Sequence, residues 1–299
     1  VIGVICCEHK NEFREWSPED LMFVQSISGY ISLCLKNTQV KSLLSKLETK
    51  NTEILDSIKY ARRLQSAILP PPRLVEKYLT ESFILYKPKD IVAGDFYWIE
   101  VIGDDILFAV ADCTGHGVPG AMISVICYNA LNRAVKDFKL TDPANILNKT
   151  RELVIEQFQN SNENIHDGMD ISLCVYNLKS KTLKWAGANS PLIVCRSKGI
   201  EKLPPDKEPV GNHPRLSSFT TVSIDIQSGD LVYLFTDGYL DQFGGPNDKK
   251  MMYKRFRSLV EDFYTKELSE QKALFDKAFE EWKGKREQID DVCLIAVRF

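Results

Sequence analysis

Several aspartates stand directly beside apolar segments, which is a pattern that suggests shared chemistry. Asp95 and Asp112 each lie where an apolar run meets glycine. Asp237 follows an apolar strand, and Asp290 comes just before the terminal strand. Carboxylates that converge raise each other's pKa unless a cation neutralises them. Because oxygen ligands select hard divalent ions, these aspartates predict a site for magnesium or manganese.

The same residues also have interpretations other than a metal site of hard divalent ions. A lone aspartate before glycine is usually a turn or cap residue, but repetition at several strand ends argues against turns alone. Neither Cys113 nor His116 belongs to a Cys or His pair with zinc spacing, so their side chains are excluded as ligands. His116 lies between two glycines, and proton donation, a structural role and substrate gating all stay open for it.

The elements that must position these acids follow from hydrophobic periodicity. A buried strand is predicted over 106–111, and Asp112 follows directly at its end. Further along the chain, apolar residues recur at the spacing of a helix. Further helices and strands are bounded by proline, glycine and capping residues. The predicted elements are helices at 118–138, 142–160, 249–264 and 267–282, strands at 171–178, 182–186, 192–195 and 292–299, and a hairpin formed by 219–226 and 231–235.

Four ordered motifs resemble those of a known enzyme family. They are Gly94-Asp95-Phe96-Tyr97, Asp112-Cys113-Thr114-Gly115-His116-Gly117, Thr236-Asp237-Gly238 and Asp290-Asp291. The sequence over residues 80–299 is similar to PPM-type metal-dependent protein serine/threonine phosphatases of the SpoIIE-like bacterial branch. This resemblance implies an α+β fold, a β-sandwich of two antiparallel sheets flanked by helices. It also implies two divalent ions, Mn²⁺ or Mg²⁺, at one edge of the sandwich.

The resemblance also assigns roles to individual residues. It makes catalytic metal ligands of Asp95, Asp112, Asp237 and Asp290, and adds the main-chain carbonyl of Cys113 and the side chain of Asp291 to the metal site. Asp170 is interpreted as a turn acid, with a third metal ion as the alternative. Asn189 stands where much of the family carries histidine, so the role of that histidine is not transferred.

The function implied by the resemblance is hydrolysis of phosphoserine or phosphothreonine on a bacterial signalling protein, by metal-activated water. The implied substrate is a phosphorylated STAS-type anti-sigma factor antagonist. No loop of the kind that a cysteine-dependent phosphatase requires is predicted, because the Cys-x5-Arg spacing from Cys127 to Arg133 falls within the predicted helix 118–138. A non-catalytic scaffold that binds a signalling partner is the alternative of another class. A nucleotide cyclase, also a two-metal enzyme, lacks support because its Gly-Gly-Asp/Glu-Glu-Phe run is missing.

The first 37 residues resemble the end of a GAF-type sensor domain. A strand over 1–6 is followed by a helix that Ser17 caps and Pro18 begins. An unrelated amphipathic helix with a strand of another fold is the alternative. Because the chain starts without Met and within this strand, we expect it to be part of something longer.

Residues 38–72 are predicted to form a coiled-coil linker. Apolar residues alternate at spacings of three and four from Val40 to Ile68, with Asn51 and Gln65 at a positions, which favours a parallel homodimer. The alternative is a single helix that folds back on its own phosphatase domain. The segment before Pro70 resembles the family's linker, which is taken to couple the state of a sensor to the metal site.

Composition excludes several classes of function. The chain has 299 residues and a net charge of −3, with no basic block, so a nucleic-acid partner is not expected. No apolar run is long enough to span a bilayer, and a signal peptide is not expected. The eight cysteines are scattered, so we expect reduced core residues and a cytoplasmic location.

Overall fold

The computed structural model describes residues 3–8, 10, 13–159, 167–214 and 216–299. The chain forms two compact units, Val1–Ser57 and Ile58–Phe299. The long helix α1, Pro18–Ile68, begins in the first unit and ends in the second.

The first unit consists mainly of the N-terminal part of α1. Ser17 and Asp20 cap this helix reciprocally, because the Asp20 N–H donates to Ser17 Oγ at 3.1 Å and the Ser17 N–H donates to Asp20 Oδ2 at 3.0 Å. This confirms the predicted helix start. The strand predicted over 1–6 is wrong for Gly3 to Cys6, which form no strand; Val1 and Ile2 lie outside the described residues. An isolated strand has no partner for its backbone groups.

The second unit contains two antiparallel sheets with helices outside them. Its remaining helices are α2 (Pro72–Tyr78), α3 (Gly117–Lys136), α4 (Pro143–Gln159), α5 (Gly238–Asp241), α6 (Met252–Phe263) and α7 (Leu268–Lys283). The strands are β1 (Ser82–Lys87), β2 (Phe96–Ile102), β3 (Asp105–Cys113), β4 (Gly168–Asn177), β5 (Thr182–Ala188), β6 (Leu192–Arg196), β7 (Gly199–Leu203), β8 (Val210–Gly211), β9 (Val222–Asp225), β10 (Leu231–Phe235), β11 (Phe243–Gly244), β12 (Lys249–Lys250) and β13 (Val292–Arg298).

Strand pairing defines a β-sandwich, as the family resemblance implied. One sheet has the order β1-β13-β10-β6-β7, and the other has the order β2-β3-β4-β5-β9 with β8 beside β4. All of the pairs between these strands are antiparallel. The strands β11 and β12 form a separate two-stranded ribbon.

Three hydrophobic layers hold the sandwich together. The inner faces of both sheets meet around Phe108, Trp185 and Leu234. Helices α3 and α4 cover the outer face of one sheet, and α6 and α7 cover the outer face of the other. Burial of apolar surface in these layers provides the main stabilisation of the fold. The strands therefore form a rigid frame whose ends can position side chains.

Two further expectations about the fold are wrong. The segments 219–226 and 231–235 form no hairpin, because β9 pairs with β5 in one sheet while β10 pairs with β6 and β13 in the other. The turn between them crosses from sheet to sheet, which short-range sequence signals do not reveal. All eight cysteines are free, but Cys6, Cys7 and Cys34 are exposed rather than in the core.

The helices that the structure describes also differ from membrane-spanning segments in length or apolar character. Within the described ranges, none of them combines the length and the apolar character that a membrane span requires.

Candidate active site

Strand register in the first half of the site brings three acids to one end of a sheet. In the β2–β3 pair Phe96 lies opposite Ala111, so the chain reaches Asp95 and Asp112 one residue further on. In the β3–β4 pair Asp112 lies directly opposite Asp170. Asp170 is therefore a strand residue beside the predicted metal ligands, and its interpretation as a turn acid is wrong.

The second sheet ends at the same place and contributes the other predicted acids. One residue beyond β10, the Thr236 N–H donates to the Cys293 carbonyl at 2.9 Å. This hydrogen bond extends the pairing between β10 and β13. Asp237 follows Thr236, and Asp290 and Asp291 precede β13. These segments pack closely, since a Cβ at Gly238 would overlap the Asp291 carbonyl oxygen.

A cavity of about 280 Å³ lies between these strand ends. Its acidic lining residues are Asp112, Asp170, Asp237 and Asp290, and His116 lies at the same cavity. Tertiary structure thus gathers aspartates that are far apart in sequence. Such a concentration of carboxylates requires protons or cations for charge balance.

The carboxyl groups at the cavity have strongly perturbed pKa values. Burial, together with the charges of Asp95 and Asp237, raises the pKa of Asp112 to about 11. Burial also raises the pKa of Asp95 well above its usual range, and the charges of Asp291 and Asp290 add to the rise. The pKa of Asp237 is raised mainly by burial as well. In the absence of a cation, burial and neighbouring charges therefore favour the protonated forms of these carboxyls.

Asp95 is the clearest point at which a cation is needed. Its side chain is 2% exposed, and within the described part of the chain its Oδ2 is the buried side-chain oxygen that lacks a hydrogen-bond partner. An unsatisfied buried oxygen is costly. Among the same residues, no three His, Cys, Asp or Glu side chains are already arranged to hold a metal ion. The oxygen-only donor set and the unpartnered Oδ2 nevertheless fit a hard divalent ion.

Asp291 has a different environment from the other acids. Its Oδ1 accepts the Lys89 N–H at 2.7 Å, and its Oδ2 accepts the Gly94 N–H at 2.7 Å. Each of its oxygens therefore already holds a backbone segment. This geometry indicates that Asp291 positions the loop before Asp95.

A polar chain of three side chains includes His116, which lines the cavity. Lys89 Nζ lies 3.0 Å from His116 Nε2, and His116 Nδ1 lies 3.0 Å from Asp90 Oδ2. His116 is half exposed. The histidine thus connects the cavity to the segment that carries Lys89 and Asp90.

Comparison with known proteins identifies the family of this arrangement. The sequence model of the Stage II sporulation protein E (SpoIIE) family matches residues 102–299. The chain belongs to the SpoIIE family. It carries a protein serine/threonine phosphatase domain of the PP2C type, also called PPM, with the α+β sandwich that this fold has.

Three proteins illustrate what this SpoIIE-family chain is similar to. The SiaA-PP2C domain of Pseudomonas aeruginosa is 31% identical, with a TM-score of 0.76 over 84% of this chain and 98% of that one. The phosphatase domain and regulatory fragment of SpoIIE from Bacillus subtilis is 16% identical, with a TM-score of 0.61 over 73% and 63%. Protein IcfG of Synechocystis sp. is 25% identical over 91% of this chain. The chain spans 45% of the length of IcfG.

Two further positions singled out in the sequence of this SpoIIE-family domain, Cys113 and Asn189, have side-chain environments that bear on their roles. The Cys113 thiol is buried, and burial raises its pKa, so the side chain is unsuited to bind metal as a thiolate. Its carbonyl oxygen lies near Gly94, beside the loop of Asp95. Asn189, which replaces the family histidine, donates to Asp170 Oδ1 at 2.9 Å. Asn189 therefore orients an acid of the cavity.

Sequence reasoning misplaced one residue near the site and missed two others. Gln65 was placed on a seam between two helices, which is wrong, because its side chain is buried against Ala93 and Ser124. Lys89 and Asp90 were not singled out. Their position just before the Gly94-Asp95 motif was the signal that could have directed attention to them.

Proposed function

We propose that this chain hydrolyses phosphoserine or phosphothreonine on a bacterial signalling protein. The observation that carries the proposal is the buried Asp95 Oδ2, which lacks a partner beside a cavity lined by other aspartates. In this proposal Asp95, Asp112, Asp237 and Asp290 hold two divalent ions, Mn²⁺ or Mg²⁺, with the Cys113 carbonyl as a further ligand. Bound ions of this kind supply a deprotonated water at neutral pH and neutralise phosphoryl oxygens.

The chain's own residues hold this arrangement in place. Asp291 fixes the backbone at Lys89 and Gly94, so the Asp95 carboxyl has a defined position before any ion binds. Asn189 orients Asp170, which is available for a weaker third ion. His116 lies at the cavity with its ring held by Asp90, where it can meet the leaving group of a substrate.

The proposal also covers the protein substrate and the regulation of the phosphatase. We propose a phosphorylated STAS-type anti-sigma factor antagonist as substrate, in the cytoplasm. Control by an N-terminal GAF-like sensor would act through α1 as a parallel homodimer. Support for a helical partner comes from Val40, Leu44 and Ile54, which are all exposed on α1. Near the end of α1 the Gln65 contact with Ala93 gives the helix a direct connection to the Asp95 loop.

The alternative function is a scaffold that binds a signalling partner without turnover. All the predicted ligands are present and gathered, which favours the enzyme. The test measures hydrolysis of p-nitrophenyl phosphate with manganese, with EDTA, and by the Asp237→Asn variant. Asp104 lies just before β3, at the opposite end of that strand from Asp112, and pairs with Lys179, so Asp104→Asn serves as the matched control.

Turnover that requires manganese and is lost in Asp237→Asn but kept in Asp104→Asn would support the phosphatase. Equal turnover with EDTA would overturn the metal-dependent mechanism. If the generic ester is not hydrolysed, the same comparison is made with a phosphorylated STAS-type protein. Binding of that protein without loss of its phosphate would establish the scaffold instead.

A further inference from the structure

Lys89 is an unusual cation at the edge of an acidic site. Its ammonium contacts His116 Nε2 at 3.0 Å, and His116 lines the cavity. Within the residues that the structure describes, Lys89 forms no ion pair with a carboxylate. Lys250, by comparison, is paired with Asp241 at 2.6 Å. The Lys89 ammonium therefore has no direct carboxylate partner among the described residues, and its side-chain contact is with the His116 ring.

The contact with Lys89 determines which nitrogen of His116 accepts a hydrogen bond and which one donates. An ammonium can only donate, so His116 Nε2 must accept from Lys89. His116 then carries its proton on Nδ1, which donates to Asp90 Oδ2 at 3.0 Å. A neutral imidazole satisfies one of the three N–H groups of Lys89. The others remain available to an anion that enters the cavity.

The backbone of Lys89 is fixed by a hydrogen bond to a carboxylate. Its N–H donates to Asp291 Oδ1 at 2.7 Å, and the other oxygen of Asp291 holds Gly94. The lysine therefore keeps a constant position relative to the Asp95 loop. Its side chain is only partly exposed, and it can move from His116 to a ligand without a backbone change.

We propose that Lys89 is a binding residue for the phosphoryl group of the substrate. It would donate to phosphoryl oxygens at the mouth of the cavity and leave His116 Nε2 free as it does so. This inference rests on the proposed function, because it assumes a phosphate monoester as substrate. A charge-assisted hydrogen bond to phosphate corresponds to about a tenfold change in affinity.

The experiment compares Lys89→Gln, which removes the charge, with Lys89→Arg, which keeps it. We expect Lys89→Gln to raise both the KM for p-nitrophenyl phosphate and the inhibition constant of inorganic phosphate by about tenfold. The manganese concentration for half activation should stay unchanged. Lys89→Arg should recover most of the loss in KM. Lys179, an exposed lysine paired with Asp104, provides the control Lys179→Gln with wild-type constants.

Two outcomes would overturn the inference. If Lys89→Gln lowers kcat alone, and has no further effect in a His116→Gln background, the lysine acts only by orienting the histidine. If it shifts the manganese midpoint instead, its role is structural. The rise in Tm caused by inorganic phosphate in the presence of manganese is measured as well, because it needs no turnover. An equal rise in wild type and Lys89→Gln would also overturn the inference, whether or not the proposed activity is found.

Discussion

The Asp291 carboxylate accepts the Gly94 N–H at 2.7 Å, which joins two segments that lie 197 residues apart in the chain. The same carboxylate accepts the Lys89 N–H at 2.7 Å. A single side chain just before the last strand therefore shapes the loop that presents Asp95. The geometry of the site depends on this contact between the two ends of the phosphatase domain.

Replacing Asp291 should weaken both stability and metal binding. Asp291→Ala leaves the buried Gly94 N–H without an acceptor, so we expect the free energy of unfolding to fall by about 1–3 kcal/mol. The manganese midpoint for activity should rise, because the Asp95 loop loses its support. Urea unfolding and a manganese titration check both effects. A raised manganese midpoint with unchanged stability would instead identify Asp291 as a direct ligand.

Gln65 should stabilise the Asp95 loop from the opposite side. Its Nε2 donates to the Ala93 carbonyl at 2.6 Å, and its Oε1 accepts the Ala93 N–H at 3.1 Å. Gln65→Ala removes both bonds, so we expect about 1–3 kcal/mol lower stability and reduced phosphatase activity. Gln39 is exposed on the same helix, and Gln39→Ala should change neither property. Equal unfolding curves for the two variants would contradict this role.

Gly94 should not tolerate a side chain. A Cβ at this position would overlap the Gly115 carbonyl oxygen, which is backbone and cannot rotate away. We therefore expect Gly94→Ala to lose most activity and to melt at a lower temperature. Gly29→Ala is the control, since it adds a methyl group in open space on a helix and should stabilise by up to about 1 kcal/mol. Activity and Tm are measured for both; wild-type activity in Gly94→Ala would contradict the packing.

Glu208 should make stability depend on pH. Burial raises its pKa, but hydrogen bonds from Ser217 and the charge of Arg151 outweigh that effect and hold the pKa below its usual value. A lowered carboxyl pKa stabilises the fold above the ordinary pKa, and the effect is lost as the pH falls through the lowered value. The Tm difference between wild type and Glu208→Gln should therefore close below about pH 4.

The matched control for this pH dependence is Glu152→Gln, because Glu152 is an exposed partner of Lys149. Surface pairs of this kind contribute little, so its Tm difference should stay small at every pH. A Tm difference for Glu208→Gln that is constant from neutral to acid pH would show that the charge of Glu208 does not stabilise the fold.

Sequence reasoning predicted local elements well where the pattern was long. The start of α1 at Pro18 and both C-terminal helices appear close to their predicted bounds, because caps and apolar periodicity are local signals. It failed for the segment 219–235, where neighbouring strands enter different sheets. It also failed for Gln65, since heptad spacing does not tell whether a helix packs on another helix or on its own domain.

By itself, the sequence determined the long helix, the acids that are candidates for metal binding and the family motifs, whose resemblance implied the α+β class. These depend on residue type and near spacing, which a single chain displays directly. Only tertiary structure decided that Asp170 joins the cavity, that Asp291 holds Gly94 and that Lys89 reaches His116. The reason is physical: strand register and loop closure across the sandwich create these contacts, and no local preference encodes them.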